Sequence, residues 1–353
     1  MTVSLVTGGN GYLGRHLVGR LAARGETVRL FDIDVSDTDE LGVEVEVIQG
    51  DIRDASAVQR AVDGVDVVYH NVAQVPLVRD RRRLRSVNVE GTQVLLDACA
   101  AAGVGKVVHT SSSAVFGVPD ANPVLPTTVP NPQEPYGHAK LAAEWLCLRA
   151  AADGSGSLDV TIVRPRTILG HGRLGIFGIL FDWVADGKDP IVLGDGSNRY
   201  QFVHADDLVS ACLLAAARPG PSIFNVGTDR FGTMGEALAN LCAHAGTGAR
   251  VRTLPARPAE LTMRASAAVG LSPFAPYHWL MYARSMWFDI DHVRAALDWA
   301  PRWSNDEMLT QSYDWFLANR DRLDAGSSPH RRQARAGALG LLKHVTGLLP
   351  RAR

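Results

Sequence analysis

Cysteine is scarce in this chain: four residues in 353 (Cys99, Cys147, Cys212 and Cys242), far apart and each inside an Ala- or Leu-rich stretch of helical pattern. That spacing fits no zinc site, redox pair or disulfide framework, so no metal is expected and free buried thiols point to a reducing, cytoplasmic setting. Long apolar runs are missing too, and nothing approaches the ~18–20 residues that cross a bilayer. Met1–Val6 carries no basic leader before the glycines begin, which argues against a signal peptide. There is no charge of one sign to exploit either, since 36 Lys and Arg stand against 37 Asp and Glu for a net charge of -1. The expected partner is therefore a small-molecule substrate rather than nucleic acid. With 46% hydrophobic and 21% charged residues the chain is an ordinary folded protein, neither disordered nor a coiled coil.

What is present in the first half is alternation. Short β-branched runs at Val3–Thr7, Val28–Asp32, Val45–Gln49, Val65–His70, Lys106–Ser111 and Val160–Arg164 are separated by longer amphipathic stretches. This is the pattern of βαβ units and predicts an α/β, Rossmann-type doubly wound parallel sheet. The prolines Pro119, Pro123, Pro126, Pro130, Pro132 and Pro135 mark a loop, after which a helix is expected from Tyr136 to about Ala152. Beyond Arg164 the alternation breaks up around Gly170–Gly175, Gly187–Pro190 and Gly194–Asn198, which predicts a smaller, discontinuous C-terminal substrate lobe. The expected organisation is a dinucleotide domain over 1–165, with 204–226 returning to it. A substrate lobe takes 166–203 and 227–324, and a basic tail takes 325–353. The tail follows the linker Ala325–Pro329 and combines an apolar stripe (Ala338, Leu341, Leu342, Val345, Leu348, Leu349) with Arg331, Arg332, Arg335, Lys343, Arg351 and Arg353. Such a segment suits peripheral contact with an anionic inner-membrane surface, or docking on the acidic remainder of the chain or a partner subunit.

Thr7–Gly14 joins the first strand to the first helix, which is the context that gives a glycine triad meaning. Gly8 permits the tight turn, Gly11 lets the backbone approach a pyrophosphate, and Gly14 allows close packing of helix on strand. Tyr12 and Leu13 open the helix at the same turn. Asp32 ends the second strand, where a carboxylate can accept the hydroxyls of an adenosine ribose and repel a 2′-phosphate, so NAD is expected over NADP. Asp51 and Ile52, after the third strand, are candidates to cap the adenine; Asp51 could equally be a helix N-cap.

Tyr136 and Lys140 lie one helical turn apart on a shared face. A phenol of pKa ~10 is a weak base at neutral pH unless its anion is stabilised, and a neighbouring ammonium supplies that. Thr110–Gly117 closes the strand before it and puts hydroxyls at the carboxyl edge of the sheet, where open α/β folds bind ligands.

Taken together these stretches resemble an extended short-chain dehydrogenase/reductase of the NAD-dependent epimerase/dehydratase family over roughly residues 1 to 320. The resemblance also rests on Gly50-Asp51-Ile52, His70–Ala73, Asn88–Thr92, Arg164-Pro165, Gly194–Gly196, Phe202–Asp207 and Phe224–Gly227. It implies a catalytic trio of Ser112, Tyr136 and Lys140, with Ser112 identified as the residue four before the aromatic Phe116. It further implies that Lys140 holds the nicotinamide ribose, that Ala73 lines the pyrophosphate and that Asn88 supports the strand edge beside the cofactor. The family's dehydratases and decarboxylases carry Asp or Glu just after the active Ser/Thr; here Ser113 and Ala114 stand there, which disfavours elimination. The Asn that grips a nucleotide phosphate in the family is replaced by Thr167 or its neighbours, and Arg199 is a candidate diphosphate ligand. Ser113, Thr167 and Arg199 are thus the expected substrate contacts.

The arginines Arg79, Arg81, Arg82, Arg83 and Arg85 read as a solvated helix face. Phe274, Tyr277, Trp279, Tyr282, Trp287 and Phe288 crowd together as core, as a dimer surface or as an apolar substrate wall. A homodimer is expected. Three activities remain open: epimerisation of a nucleotide-activated sugar; net oxidation of an apolar, hydroxysteroid-like or lipid-linked alcohol; and a non-catalytic NAD scaffold, against which the intact trio argues.

Overall fold

The computed structural model describes residues 2–75, 80–152, 158–268 and 281–321. The basic tail and its linker, Arg79, Phe274, Tyr277 and Trp279 lie outside the described residues.

Six strands, β1 (Val3–Thr7), β2 (Thr27–Asp32), β3 (Glu46–Gln49), β4 (Val67–His70), β5 (Lys106–Thr110) and β6 (Val160–Pro165), match the β-branched runs to within a residue or two. Between them run α1 (Tyr12–Ala23), α2 (Ala55–Val62), the short α3 (Arg81–Arg85), α4 (Gly91–Ala102) and α5 (Pro135–Ala152). The chain then leaves the sheet through β7 (Thr167–Leu169), α6 (Ile176–Ala185), β8 (Ile191–Leu193), β9 (Phe202–His204) and α7 (Ala205–Ala217). It comes back for β10 (Ser222–Val226) and leaves again through α8 (Met234–Ala245), β11 (Arg252–Leu254), α9 (Ala256–Ala268), α10 (Asp291–Leu297) and α11 (Asn305–Asn319).

The sheet has seven strands in the order β10-β6-β5-β4-β1-β2-β3, all parallel. Chain order reverses between β1 and β4, and a crevice at the carboxyl ends of the strands follows from that reversal. Strand residues alternate between two buried faces: Leu5, Val107 and Ile162 pack with α2 and α4 residues such as Val58, Val62 and Leu95, while Val6, Val108 and Val163 pack with Leu17 and Leu21 of α1 and Leu208 of α7. A sheet covered on both faces explains why its strands read as continuous apolar runs.

The smaller lobe has its own core, in which Phe181, Tyr313 and Phe316 meet Leu238, Leu241, Met308 and Leu309. Its two principal helices start with reciprocal caps, Thr233 with Glu236 on α8 and Ser304 with Glu307 on α11. Each cap satisfies N–H groups that the first turn would otherwise leave open.

One polar contact fastens α5 to the sheet. Glu144 is buried on α5 and takes a forked contact from Arg164 of β6, with Nε donating to Oε1 at 2.8 Å and Nη2 to Oε2. The Ser111 hydroxyl at the end of β5 donates to the same carboxylate. Removing one partner leaves the other charge buried and unpaired. Glu144→Gln should therefore lower the unfolding free energy by about 3–5 kcal/mol in urea denaturation, while the double variant Glu144→Leu/Arg164→Met should recover much of that loss.

Candidate active site

The first turn of α1 opens directly onto the crevice. Gly11 is its N-cap and makes no side-chain cap, so the leading N–H groups are aimed at whatever occupies the cleft lined by Gly8, Gly11, Tyr12, Leu13 and Gly14. Gly14 is required by packing: a Cβ there would stand 2.1 Å from the Gly8 carbonyl oxygen and 2.7 Å from the Gly9 Cα. Asp32, at the end of β2, lines the same cleft and accepts from the Asn10 N–H at 3.0 Å. Burial pushes its carboxyl up, opposed by the backbone N–H groups of Asp34 and Asn10. This glycine cradle with a carboxylate at the next strand end fits the dinucleotide that the sequence implies. Asp51, Ile52 and Ala73 line the cleft as well. Asp51 is engaged by Arg53, which holds its carboxyl below the usual range, and it is Asp54 that caps α2 by accepting from Ser56 and Ala57. The N-cap alternative for Asp51 is thereby corrected.

Asn88 is not on the cleft wall but buried behind it, accepting from the Gln74 N–H at 2.6 Å and donating to the Gln74 carbonyl at 3.0 Å. It clamps the loop after β4, whose residues Asn71–Val75 do line the cleft. Of the arginine run, Arg81, Arg82, Arg83 and Arg85 are exposed on or beside α3, and Arg83 also lines the cleft.

Ser112, Tyr136 and Lys140 line the same cleft. Ser112 caps a tight helical turn over Ser113–Phe116, its Oγ accepting from the Ala114 N–H at 3.2 Å. Its hydroxyl proton is thus directed elsewhere. α5 starts against this turn because residue 137 is glycine: a Cβ there would meet the Ala114 carbonyl at 2.4 Å. The buried Glu134 caps the helix, accepting from the N–H groups of Tyr136 and Gly137. Lys140 is buried and donates from Nζ to the Thr110 carbonyl at 2.7 Å. Burial pushes its ammonium down to about 8, with Cys147 and Glu144 opposing. Beneath it His70 and His109 are buried with ring centroids 5.2 Å apart, and desolvation pushes both well down, so the floor of the site is uncharged at neutral pH.

On the substrate side, Ser113 and Thr167 line the cleft, and the Thr167 and Tyr200 hydroxyls share a 3.0 Å hydrogen bond. Arg199 is not among the lining residues. It is exposed, and its guanidinium lies over Trp287 at 4.7 Å and Phe231 at 4.9 Å, holding parts of its own lobe together. Of the aromatic crowd, Phe288 is core, packed edge-on against Phe116, and the Tyr282 hydroxyl donates to the Ile191 carbonyl. Among the cleft residues that were not expected are Arg166, buried just after β6, and Arg173, whose guanidinium lies 5.4 Å from the Tyr12 ring. Their signal was present as Arg164-Pro165-Arg166 and as an arginine inside the Gly170–Gly175 turn.

The model of the NAD dependent epimerase/dehydratase family matches residues 4–227. An uncharacterized protein, y4nG, of Sinorhizobium fredii is 47% identical over 349 residues, covering 98% of this chain and 87% of that protein. A 3 beta-hydroxysteroid dehydrogenase/Delta 5-->4-isomerase of Mycobacterium tuberculosis is 36% identical over 228 residues, covering 62% of this chain and 60% of that protein. Among solved structures, the UDP-glucose 4-epimerase of Thermotoga maritima with UDP-glucose superposes with a TM-score of 0.76 at 25% identity, over 90% of this chain and 100% of that one.

The position of Asp32 gives a direct expectation. Fluorescence titration should show NADH binding more tightly than NADPH, and Asp32→Ala should collapse that preference. Tighter NADPH binding by the unaltered protein would contradict the assignment.

Proposed function

The chain belongs to the NAD-dependent epimerase/dehydratase family, and on that footing we propose that it epimerises a nucleotide-activated sugar through a transient keto form of the substrate. The observation that carries the reading is that Ser112, Tyr136 and Lys140 line one cleft, with Ser113 and Ala114, rather than a carboxylate, following Ser112 in the chain. Elimination of water needs a further acid and base, which those two positions do not offer. The likeness to the Thermotoga epimerase over most of the chain supports the sugar-nucleotide side of the proposal.

When bound along Gly8–Gly14 and Asp32, NAD would supply a hydride acceptor that also gives the hydride back. The rest is the work of side chains. Ser112, whose Oγ already accepts from a backbone N–H, donates its proton to the reacting substrate oxygen and fixes its position. Tyr136 removes the hydroxyl proton and later returns it. Lys140, held on the Thr110 carbonyl, provides the positive charge that lowers the cost of the phenolate. No proton or electron is gained overall, as epimerisation requires.

A second reading, net oxidation of an apolar alcohol, is favoured by one observation, that Arg199 lies over Trp287 and Phe231 and off the cleft wall, and by the resemblance, in which Thr167 or its neighbours replace the family's phosphate-gripping Asn. The steroid dehydrogenase likeness is consistent with it. Following reduced nicotinamide absorbance with each substrate class separates them: an epimerase converts its sugar nucleotide with no net NADH, whereas a dehydrogenase accumulates NADH in proportion to product.

Tyr136→Phe should cost ~10²-fold or more in turnover while NAD affinity stays nearly unchanged, because the phenol acts on the proton. Turnover within tenfold of the unaltered enzyme would remove Tyr136 from the mechanism. Lys140 carries its proton below about 8 and loses it above, so kcat/KM should fall as pH rises through that value. A profile flat from pH 7 to pH 9.5 would contradict the role given to the ammonium, while Lys140→Arg should move the falling limb out of range.

A further inference from the structure

Two guanidinium groups that line the cleft, Arg166 and Arg173, have no carboxylate partner among the described residues. Arg166 is 1% exposed and lies over the rings of Tyr200 at 4.8 Å and Phe288 at 5.7 Å. Its Nη1 donates to the Ser113 hydroxyl at 2.9 Å and approaches Met286 Sδ at 3.3 Å, while Nε and Nη2 meet no acceptor. A buried cation left this way is costly unless something negative completes it.

The contact with Ser113 says where that charge is felt. Ser113 Oγ accepts from a charged donor, so its own O–H points away from Arg166 and is polarised by it. That hydroxyl lines the cleft and has no protein acceptor among the described residues. Arg173 commits Nε to the Ile168 carbonyl at 3.2 Å, which leaves its two Nη groups for the cleft. The site therefore offers donors and positive charge where a neutral sugar hydroxyl would need acceptors too. Ser113 is also the neighbour of Ser112, so the group it meets lies beside the reacting carbon. A nucleotide diphosphate would be held a sugar ring away from that carbon.

We propose that Ser113, Arg166 and Arg173 form a recess for a carboxylate that the substrate carries next to its reacting carbon. Arg173 and Ser113 touch the carboxylate; Arg166 is a positioning residue that acts through Ser113. The inference rests on the reading of this cleft as the active site and names the substrate class more narrowly: an acidic sugar nucleotide, or an acidic alcohol if the second reading holds.

Calorimetric binding to NAD-loaded Tyr136→Phe protein, in which ligands are not consumed, tests this with two matched pairs. One pair is UDP-glucuronate and UDP-glucose; the other is a 3β-hydroxysteroid with and without a ring carboxylate. The carboxylated member of one pair should bind about 10-fold or more tightly than its neutral twin, as a charge-assisted hydrogen bond to a desolvated donor set implies. Arg173→Met and Arg166→Met should each remove most of that gap, and Arg166→Lys should restore part of it, while the neutral twin binds as before. Ser113→Ala, a small change that leaves the buried arginine in place, should narrow the gap even where Arg166→Met does not fold. An equal loss across UDP-glucuronate, UDP-glucose and free UDP would assign the arginines to the diphosphate and overturn the proposal. So would the lack of a gap in both pairs. A gap in the steroid pair alone would instead sink the sugar epimerase reading and leave the recess standing.

Discussion

The forked contact between Arg164 and Glu144 is the constraint on which the site depends. Helix α5 and strand β6 follow one another in the chain, but their succession alone does not fix the register of one against the other. A planar guanidinium meeting a planar carboxylate does, because the pair tolerates little sliding or rotation. Ser111, bonded to the same carboxylate, brings in the end of β5, the strand that leads into Ser112. Glu144 lies one turn beyond Lys140, so the fastening also fixes where the ammonium reaches the Thr110 carbonyl. Neutralised by Arg164, Glu144 does not hold the ammonium in its ordinary range, and burial dominates Lys140.

The frame was readable from the chain because its signals are local. β-branched runs of a few residues made strands, and the glycine turn made the mouth of the crevice. Tyr136 and Lys140, one turn apart, declared their shared face. What escaped reading depends on contacts between distant segments. Arg199 looked available because its loop is rich in glycine, yet Trp287 and Phe231, both far along the chain, take up its charge. Arg166 could not be distinguished from Arg164 by pattern, although one is paired with a carboxylate and the other is not. Glu134 and Gly137 sit in a stretch where a proline loop ends, and their capping and close packing become visible only when the Ser113–Phe116 turn is in place.

Electrostatically the cleft is layered. Uncharged histidines lie beneath it, a depressed ammonium lies beside the phenol, and unpaired guanidiniums face the substrate end. The carboxylates that border it among the described residues are Asp32, Asp34 and Asp51, at the far, adenosine end. Acceptors thus stand where ribose hydroxyls would lie, Arg53 engages Asp51 at that end, and Arg166 and Arg173 border the cleft as well.

The late return of β10 to the sheet has a consequence for synthesis. Strand β6 ends at Pro165, yet its outer neighbour is made of Ser222–Val226, after Leu169, Phe181, Val192 and Phe202 of the smaller lobe's core have been passed through. While the ribosome is adding that intervening stretch, the N–H and C=O groups along one side of β6 have no strand to pair with, and an unpaired edge of this kind invites association with other chains. The nascent dinucleotide half therefore cannot close as an independent unit the moment its sixth strand emerges. Its completion waits on segments that also belong to the substrate side, so the two lobes are obliged to mature together.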